Sequence, residues 1–282
     1  MVVFPNAKIN LGLSVIAKRN DGYHDLETVF YPVNIRDSLE MIIGHPLEST
    51  TRTNDLPGIH FSTSGMPIQG IAADNLCIRA VNLLSHDFEE IGPVQIHLHK
   101  HIPMGAGLGG GSSNAAFTLV LLNELFELSL SRQQLIDYAA VLGSDCPFFI
   151  INKPCLASSR GEIMEEITLD LSSYQMIFIS PGIHVNTGWA FAQLNPEPGS
   201  GRQSLRSLIR TDPSEWKNVL VNDFELPVFS AWPELREIRD EFYASGATYS
   251  AMTGSGSTVF ALYEPGKMVL PTFPPHYKVM KG

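Results

Sequence analysis

The feature that most constrains this 282-residue chain is a strand that runs into a glycine loop and then into a helix. The alternating stretch "PVQIHLHKHIP" (93–103) leads to "MGAGLGGGSSN" (104–114), which continues into the apolar "FTLVLLNELFEL" (117–128). Five of the seven residues from Gly105 to Gly111 are glycine. A helix N-terminus presents unpaired N–H groups and the positive end of its dipole, and glycines let an anion come close to the backbone. Ser112 and Ser113 stand at the expected N-cap of a helix over about 112–128. Glycines also serve tight turns, but their density before a serine-capped helix favours a phosphate loop.

Three familiar phosphate loops do not fit. Gly105, Gly107 and Gly110 satisfy G-x-G-x-x-G, yet the residues about 20 positions on, around Glu124 and Glu127, are still helical, where a dinucleotide fold needs a strand-end acid. A Walker A loop needs a lysine before its hydroxyl residue, and "GGGSSN" has none. A protein-kinase glycine loop leads into a strand, not a long helix.

Composition removes other classes. The net charge is −10 and no basic stripe is visible, which excludes a dedicated nucleic-acid binder. Apolar runs are too short to cross a bilayer, and the first residues lack a basic leader with a long apolar segment, so a cytoplasmic location is expected. Cys77, Cys146 and Cys155 lack metal-ligand spacing. His97, His99 and His101 share one strand face, which reads as a polar face in preference to a metal site.

The remaining pattern mixes strands and helices without a regular βαβ rhythm, so an α+β architecture is expected. Residues 2–16 alternate as a strand, "KRNDGYHD" (18–25) is a turn, and "HDLETVFYPVNIRDSLEMII" (24–43) is strand material. "HPLESTTRTNDLPGIHFSTSGMPIQG" (45–70) is loop-rich with short β pieces. Asp74 and Asn75 open a helix, and a second runs over 131–142 to a stop at Gly143. Beyond Asp145 the character shifts to strand and loop, including a buried strand over 174–181, a flexible connection over 194–204 and a helix over 233–246. A strand, a glycine turn and a strand follow over 248–264, and a domain boundary falls near 150–156.

The glycine loop resembles the phosphate loop of the GHMP kinases, the superfamily of galactokinase and the homoserine, mevalonate and phosphomevalonate kinases. "PNAKINLGLSV" (5–15) and "MTGSGSTVF" (252–260) resemble its first and third motifs, in order across some 250 residues. Within it, "AKINLGLSVIAKRNDGYHDLETVF" (7–30), "DNLCIRAVNLL" (74–84) and "LGSDCPFFI" (142–150) are most similar to the kinases acting on 4-diphosphocytidyl-2-C-methyl-D-erythritol. The resemblance implies a two-domain GHMP kinase fold. Residues 1–153 would form a ribosomal-protein-S5-domain-2-like ATP-binding domain, and residues 154–282 a ferredoxin-like α/β sandwich on the substrate side. It also implies phosphorylation of that substrate's 2-hydroxyl by ATP with Mg²⁺, in the non-mevalonate isoprenoid pathway, by a monomer or weak homodimer with no nucleic-acid or membrane partner. Another small-alcohol GHMP kinase, or a silent nucleotide sensor on the same scaffold, is the alternative.

The implied roles follow residue by residue. Pro103, Met104, Gly105, Ala106, Gly107, Leu108, Gly109, Gly110, Gly111, Ser112 and Ser113 cradle the ATP phosphates. Asp145 accepts or orients the substrate hydroxyl proton; by spacing alone it is a turn aspartate, with Pro147 stiffening the turn. Lys8, two residues from the substrate contact Asn10 on one strand face, pairs with Asp145 and favours its ionised form; a snorkelling lysine is the bland reading. Lys100 contacts the nucleotide, or is a strand-end charge turned to solvent. Tyr23 stacks on the cytosine and His24 bonds its edge, with Phe191 as the second ring, Trp189 as its competitor, and Thr187 as a hydroxyl contact. Gly254, Ser255 and Gly256 approach the phosphates. No protein ligand for Mg²⁺ is identified. Ser159 stands where the family often has glycine, and the proline-rich tail lacks a late helix.

Overall fold

The alternation of "VQIHLHK" is realised as a strand in the computed structural model, which describes residues 1–44, 58–196 and 203–282. Val94, Ile96, Leu98 and Lys100 are buried on one face, with Gln95, His97 and His99 on the other. The chain groups into two units. One comprises Met1–Ala7, Ile35–Met104 and Gly109–Asn152, and the other Lys8–Asn34, Gly105–Leu108 and Lys153–Gly282. The chain therefore passes between units several times, and the residues 8–34 group with the C-terminal part of the chain.

The N-terminal strands are β1 (Val2–Val3), β2 (Asn6–Lys18), β3 (His24–Arg36), β4 (Ser38–Ile43), β5 (Ile59–Gly65) and β6 (Val94–Lys100). In the first unit they form a sheet ordered β1-β4-β6-β5, in which only the β5–β6 pair is parallel. Its helices are α1 (Leu76–Asp87), α2 (Gly110–Leu125), α3 (Arg132–Leu142) and α4 (Cys146–Ile151). Leu39, Met41, Ile96 and Leu98 of the sheet share a core with Ile78, Val81, Leu119 and Leu122 of the helices. The readings of 45–70 as loop-rich and of 194–204 as a flexible connection lie partly outside the described residues, at 45–57 and 197–202.

Local chemistry explains the helix ends. Asn75 caps α1, its side chain accepting from the Cys77 N–H at 2.9 Å. Ser131 and Gln134 form a reciprocal capping box on α3, with Ser131 N–H on Gln134 Oε1 at 3.0 Å and Gln134 N–H on Ser131 Oγ at 3.3 Å. Helix α2 differs from expectation, starting at Gly110 instead of 112 and carrying no side-chain cap. Gly109 turns the chain at φ +68°, so Ser112 and Ser113 are already inside the first turn. The helix ends at Leu125 because the Asn123 carboxamide takes both backbone groups of Leu130 and Glu127 adopts a left-handed φ of +52°.

Asp145 lies in a turn closed by Cys146 N–H on Gly143 O at 3.1 Å, and the turn leads straight into a helix. It is the N-cap residue of the short helix α4, and Pro147 lies in the first turn, where a missing N–H costs little.

The second unit holds β7 (Cys155–Ser159), β8 (Ile163–Glu166), β9 (Gln175–Ser180), α5 (Thr187–Ala192), α6 (Leu205–Leu208), α7 (Glu225–Ala231), α8 (Pro233–Ala244), β10 (Tyr249–Met252), β11 (Val259–Tyr263) and β12 (Lys278–Lys281). One sheet runs β2-β3-β7-β8, and a second, wholly antiparallel, runs β10-β11-β9-β12. The tail thus ends as a strand. Ser159 adopts φ +61°, a conformation that suits glycine, and its hydroxyl is held by Arg19 and Glu162. Among the described residues no helix is long and apolar enough to cross a membrane.

Replacing Ser131 by Ala removes the capping box, and urea unfolding is expected to show a loss of about 1 kcal/mol.

Candidate active site

Along β2 the odd positions are Ala7, Ile9, Leu11, Leu13 and Val15, and the even ones Asn6, Lys8, Asn10, Gly12 and Ser14. Asn6 through Val15 are all buried, so a row of polar side chains is enclosed. Each then needs a partner. Lys8 Nζ donates to Asn10 Oδ1 at 2.6 Å and lies 4.8 Å from the centroid of the Phe30 ring. Asn10 Nδ2 donates to Thr28 Oγ1 at 2.9 Å, and Thr28 spends its own proton on Gly12 O at 2.6 Å. Thr28 can only accept from Asn10, so the amide is oriented with its oxygen toward the Lys8 ammonium.

The backbone of the row is tied to both glycine loops. Lys8 N–H donates to Leu108 O at 3.0 Å, and Asn10 N–H donates to Thr253 Oγ1 at 3.0 Å. Thr253 Oγ1 in turn donates to Gly107 O at 3.1 Å, and Thr258 N–H to Ala106 O at 3.2 Å. The loops touch so closely that a Cβ on Gly107, whose φ is +79°, would lie 2.0 Å from Thr253 O. Gly254 and Gly256 are buried, and the hydroxyls of Ser255 and Thr187 are 2.9 Å apart.

In the first unit, the chain enters the glycine loop over a buried carboxylate. Asp37 accepts from the N–H groups of His101 and Ile102 at 2.7 and 2.8 Å, and from Asn114 Nδ2 at 2.9 Å. Lys100 turns inward, not to solvent; it is 2% exposed, with Nζ on Asp37 and on Asn114 Oδ1 at 2.9 Å. The network joins the end of β6 to α2, on the two sides of the loop. Met104, Gly105 and Gly111 are exposed, while Pro103, Ala106, Leu108 and Gly110 are buried and Gly107 and Gly109 half-buried. A Cβ on Gly111 would meet only Leu76, at 3.7 Å.

Ser113 Oγ is buried in the first turn of α2 with no hydrogen-bond partner. Ser112 bonds the thiol of Cys146, which burial pushes up to about 12, and burial likewise pushes Cys77 up to about 11. Neither thiol is a nucleophile at neutral pH. The half-buried Asp145 adjoins Cys146 and helps to keep it protonated.

In the second unit, Tyr23 projects into solvent with the Arg160 guanidinium 5.0 Å from its ring centroid. His24 stacks on Phe191, with centroids 4.7 Å apart and planes 17° from parallel. Burial, reinforced by Lys18, lowers the His24 pKa and keeps the ring neutral. Trp189 packs edge-on against Trp232 at 5.0 Å. The structure therefore brings Phe191, and not Trp189, to His24. His97 and His99 form a ladder with Ser62 and Ser64, and among the described residues no group of three His, Cys, Asp or Glu forms a metal-binding cluster.

The models of the GHMP kinases N terminal domain and GHMP kinases C terminal domain match residues 75–153 and 204–268. A 4-diphosphocytidyl-2-C-methyl-D-erythritol kinase of Bacteroides fragilis is 47% identical over 269 residues, 95% of this chain and 94% of its own length. One of Bacteroides thetaiotaomicron is 49% identical, covering 94% and 93%. This chain belongs to the GHMP kinases, among the 4-diphosphocytidyl-2-C-methyl-D-erythritol kinases. A crystal structure of a 4-(cytidine 5'-diphospho)-2C-methyl-D-erythritol kinase superimposes with a TM-score of 0.75 at 33% identity, covering 94% of this chain and 91% of its own. A mevalonate kinase structure, at 12% identity and a TM-score of 0.71, shares the fold.

Within this GHMP kinase, Thr28 and Thr253 were not candidates from the sequence. Isolated threonines in strands read as ordinary β formers, and only pairing across 18 and 243 residues brings them to Asn10. Asp37 and Asn114 were missed likewise, although a lysine at the end of an apolar row signals a buried partner.

Two glycine substitutions are expected to separate. Gly107→Ala drives a methyl into Thr253 O and lowers both thermal stability and turnover. Gly111→Ala has room in the protein and, as a better helix former, leaves the melting temperature equal or higher. Only a raised KM for ATP, at least about tenfold, reports a methyl standing where phosphate must approach.

Proposed function

We propose that this chain transfers the γ-phosphoryl group of ATP to the 2-hydroxyl of 4-diphosphocytidyl-2-C-methyl-D-erythritol, in the methylerythritol phosphate route to isoprenoids. The observation that carries this is identity of 47–49% to kinases of that name along 94–95% of the chain. The lysine–asparagine row and glycine loop described above supply what phosphoryl transfer requires, which is positioning and charge stabilisation.

In this reading Asp145 takes up or orients the proton of the attacking hydroxyl. Lys8 stabilises negative charge near the attacking oxygen, and Asn10, which orients it, contacts the substrate. The 103–113 loop and the start of α2 hold the ATP phosphates, with Lys100 acting from beneath through Asp37 and Asn114. Gly254, Ser255 and Gly256 contact the phosphates. Tyr23, His24, Phe191 and Thr187 hold the cytidine. A neutral His24 can both donate and accept along the base edge.

Magnesium fits this donor set without a protein cage. It commonly keeps several waters and takes most other oxygens from nucleotide phosphates, so one or two protein oxygens suffice. The Ser112 hydroxyl, in the first turn of α2, is the protein oxygen we assign to it. When bound, the ion neutralises phosphate charge. The reaction is placed in the cytoplasm, where ATP is supplied.

Release of ADP should depend on the cytidyl substrate and be absent with homoserine or mevalonate. Activity on only the latter two, or binding of both substrates without ADP release, would refute the reading. Asp145→Asn should lower kcat at least about 10²-fold while KM for ATP changes by less than about threefold, as expected for loss of a proton acceptor.

A further inference from the structure

A short segment that no motif singles out is hydrogen-bonded to the backbone of the second glycine loop. Asn222 is 3% exposed, and every polar atom of its side chain is used. Its Nδ2 donates to Met252 O and to Gly254 O, both at 2.8 Å, while its Oδ1 accepts from Phe224 N–H at 3.0 Å. The two carbonyls flank Thr253, the residue whose hydroxyl meets Asn10 N–H and Gly107 O. Glu225 adds a third tie, its Oε1 accepting from Met252 N–H at 2.8 Å.

The same segment is bound to β2. Leu13 N–H donates to Val221 O at 2.9 Å, Asp223 N–H to Leu13 O at 2.8 Å, and Val15 N–H to Asp223 Oδ2 at 2.8 Å. Residues 221–225 therefore hold the strand that carries Lys8 and Asn10 and the loop that carries Gly254 to Gly256 in one register. The amide chemistry is specific. A carboxylate cannot donate to two carbonyls, and an alanine leaves both buried oxygens without a donor.

We propose that Asn222 is a positioning residue for phosphoryl transfer, setting the 252–256 loop against Asn10 and Gly107. The proposal rests on the reading that this loop contacts the phosphates, and the test separates the two. For Asn222→Ala, kcat should fall about 10²-fold per folded molecule, as expected when reacting groups are slightly misplaced. Amides of residues 252–258 should exchange at least about tenfold faster with solvent deuterium, while those of β9 and the interior of β11 keep their protection. Asn222→Asp preserves the volume and the acceptor for Phe224 and loses the donors, so it carries the same readouts if the alanine variant does not fold. Its activity relative to wild type should recover as pH falls, because a protonated carboxyl regains one donor.

Unchanged kcat in both variants would overturn the proposal, as would uniform loss of protection across the unit. If instead Ser255→Ala and Gly254→Ala both leave kcat and both KM values unchanged, the reading of the loop itself fails.

Discussion

A buried ammonium is the constraint on which the rest of the second unit depends. Lys8 is enclosed, and an unpaired charge there would be strongly destabilising. Asn10 meets that demand with its oxygen, but only because Thr28 fixes the amide the right way round and Gly12 O fixes Thr28. The backbone of Asn10 then requires Thr253, and Thr253 requires Gly107. One charge thus dictates a hydrogen-bonded order that spans most of the sequence. A half-satisfied network of this kind is worse than an apolar core, so its members act together.

The first unit repeats the solution with the signs exchanged. Asp37 is fully buried and collects Lys100, Asn114 and two backbone N–H groups at the entrance to the glycine loop. The loop is free of lysine along its own length, and Lys100 at its entrance is spent on holding its two sides together. Its exposed parts present bare backbone at Gly105 and Gly111. Such a surface is made by rigid support from below; a Cβ on Gly111 would meet only Leu76, whereas the His184 ring stands against Gly105.

Much of the fold was legible where local chemistry decides. Asn75 and Ser131 marked helix starts, Gly143 a helix stop, and the glycine-rich 253–258 a turn between antiparallel strands. The start of α2 was misjudged because two serines look like caps, whereas Gly109 in a left-handed conformation had already begun the helix. The turn at Asp145 was legible, but helix α4 after it was not, because proline at a helix start and proline in a turn have the same local sequence. The faces of β2 were legible as alternation, but alternation does not tell a wet polar face from an enclosed one.

The sequence by itself determined the family, the glycine loop and the residue types that chemistry can use, because motifs and periodicity are properties of neighbouring residues. Tertiary structure alone decided which of them are partners. Thr28, Thr253 and Asn222 meet Asn10 and the loops across long stretches of chain, Lys100 is turned inward by Asp37, and Phe191 in preference to Trp189 faces His24. Hydrogen bonds and ring stacking act over a few ångströms of space, whatever the separation along the chain.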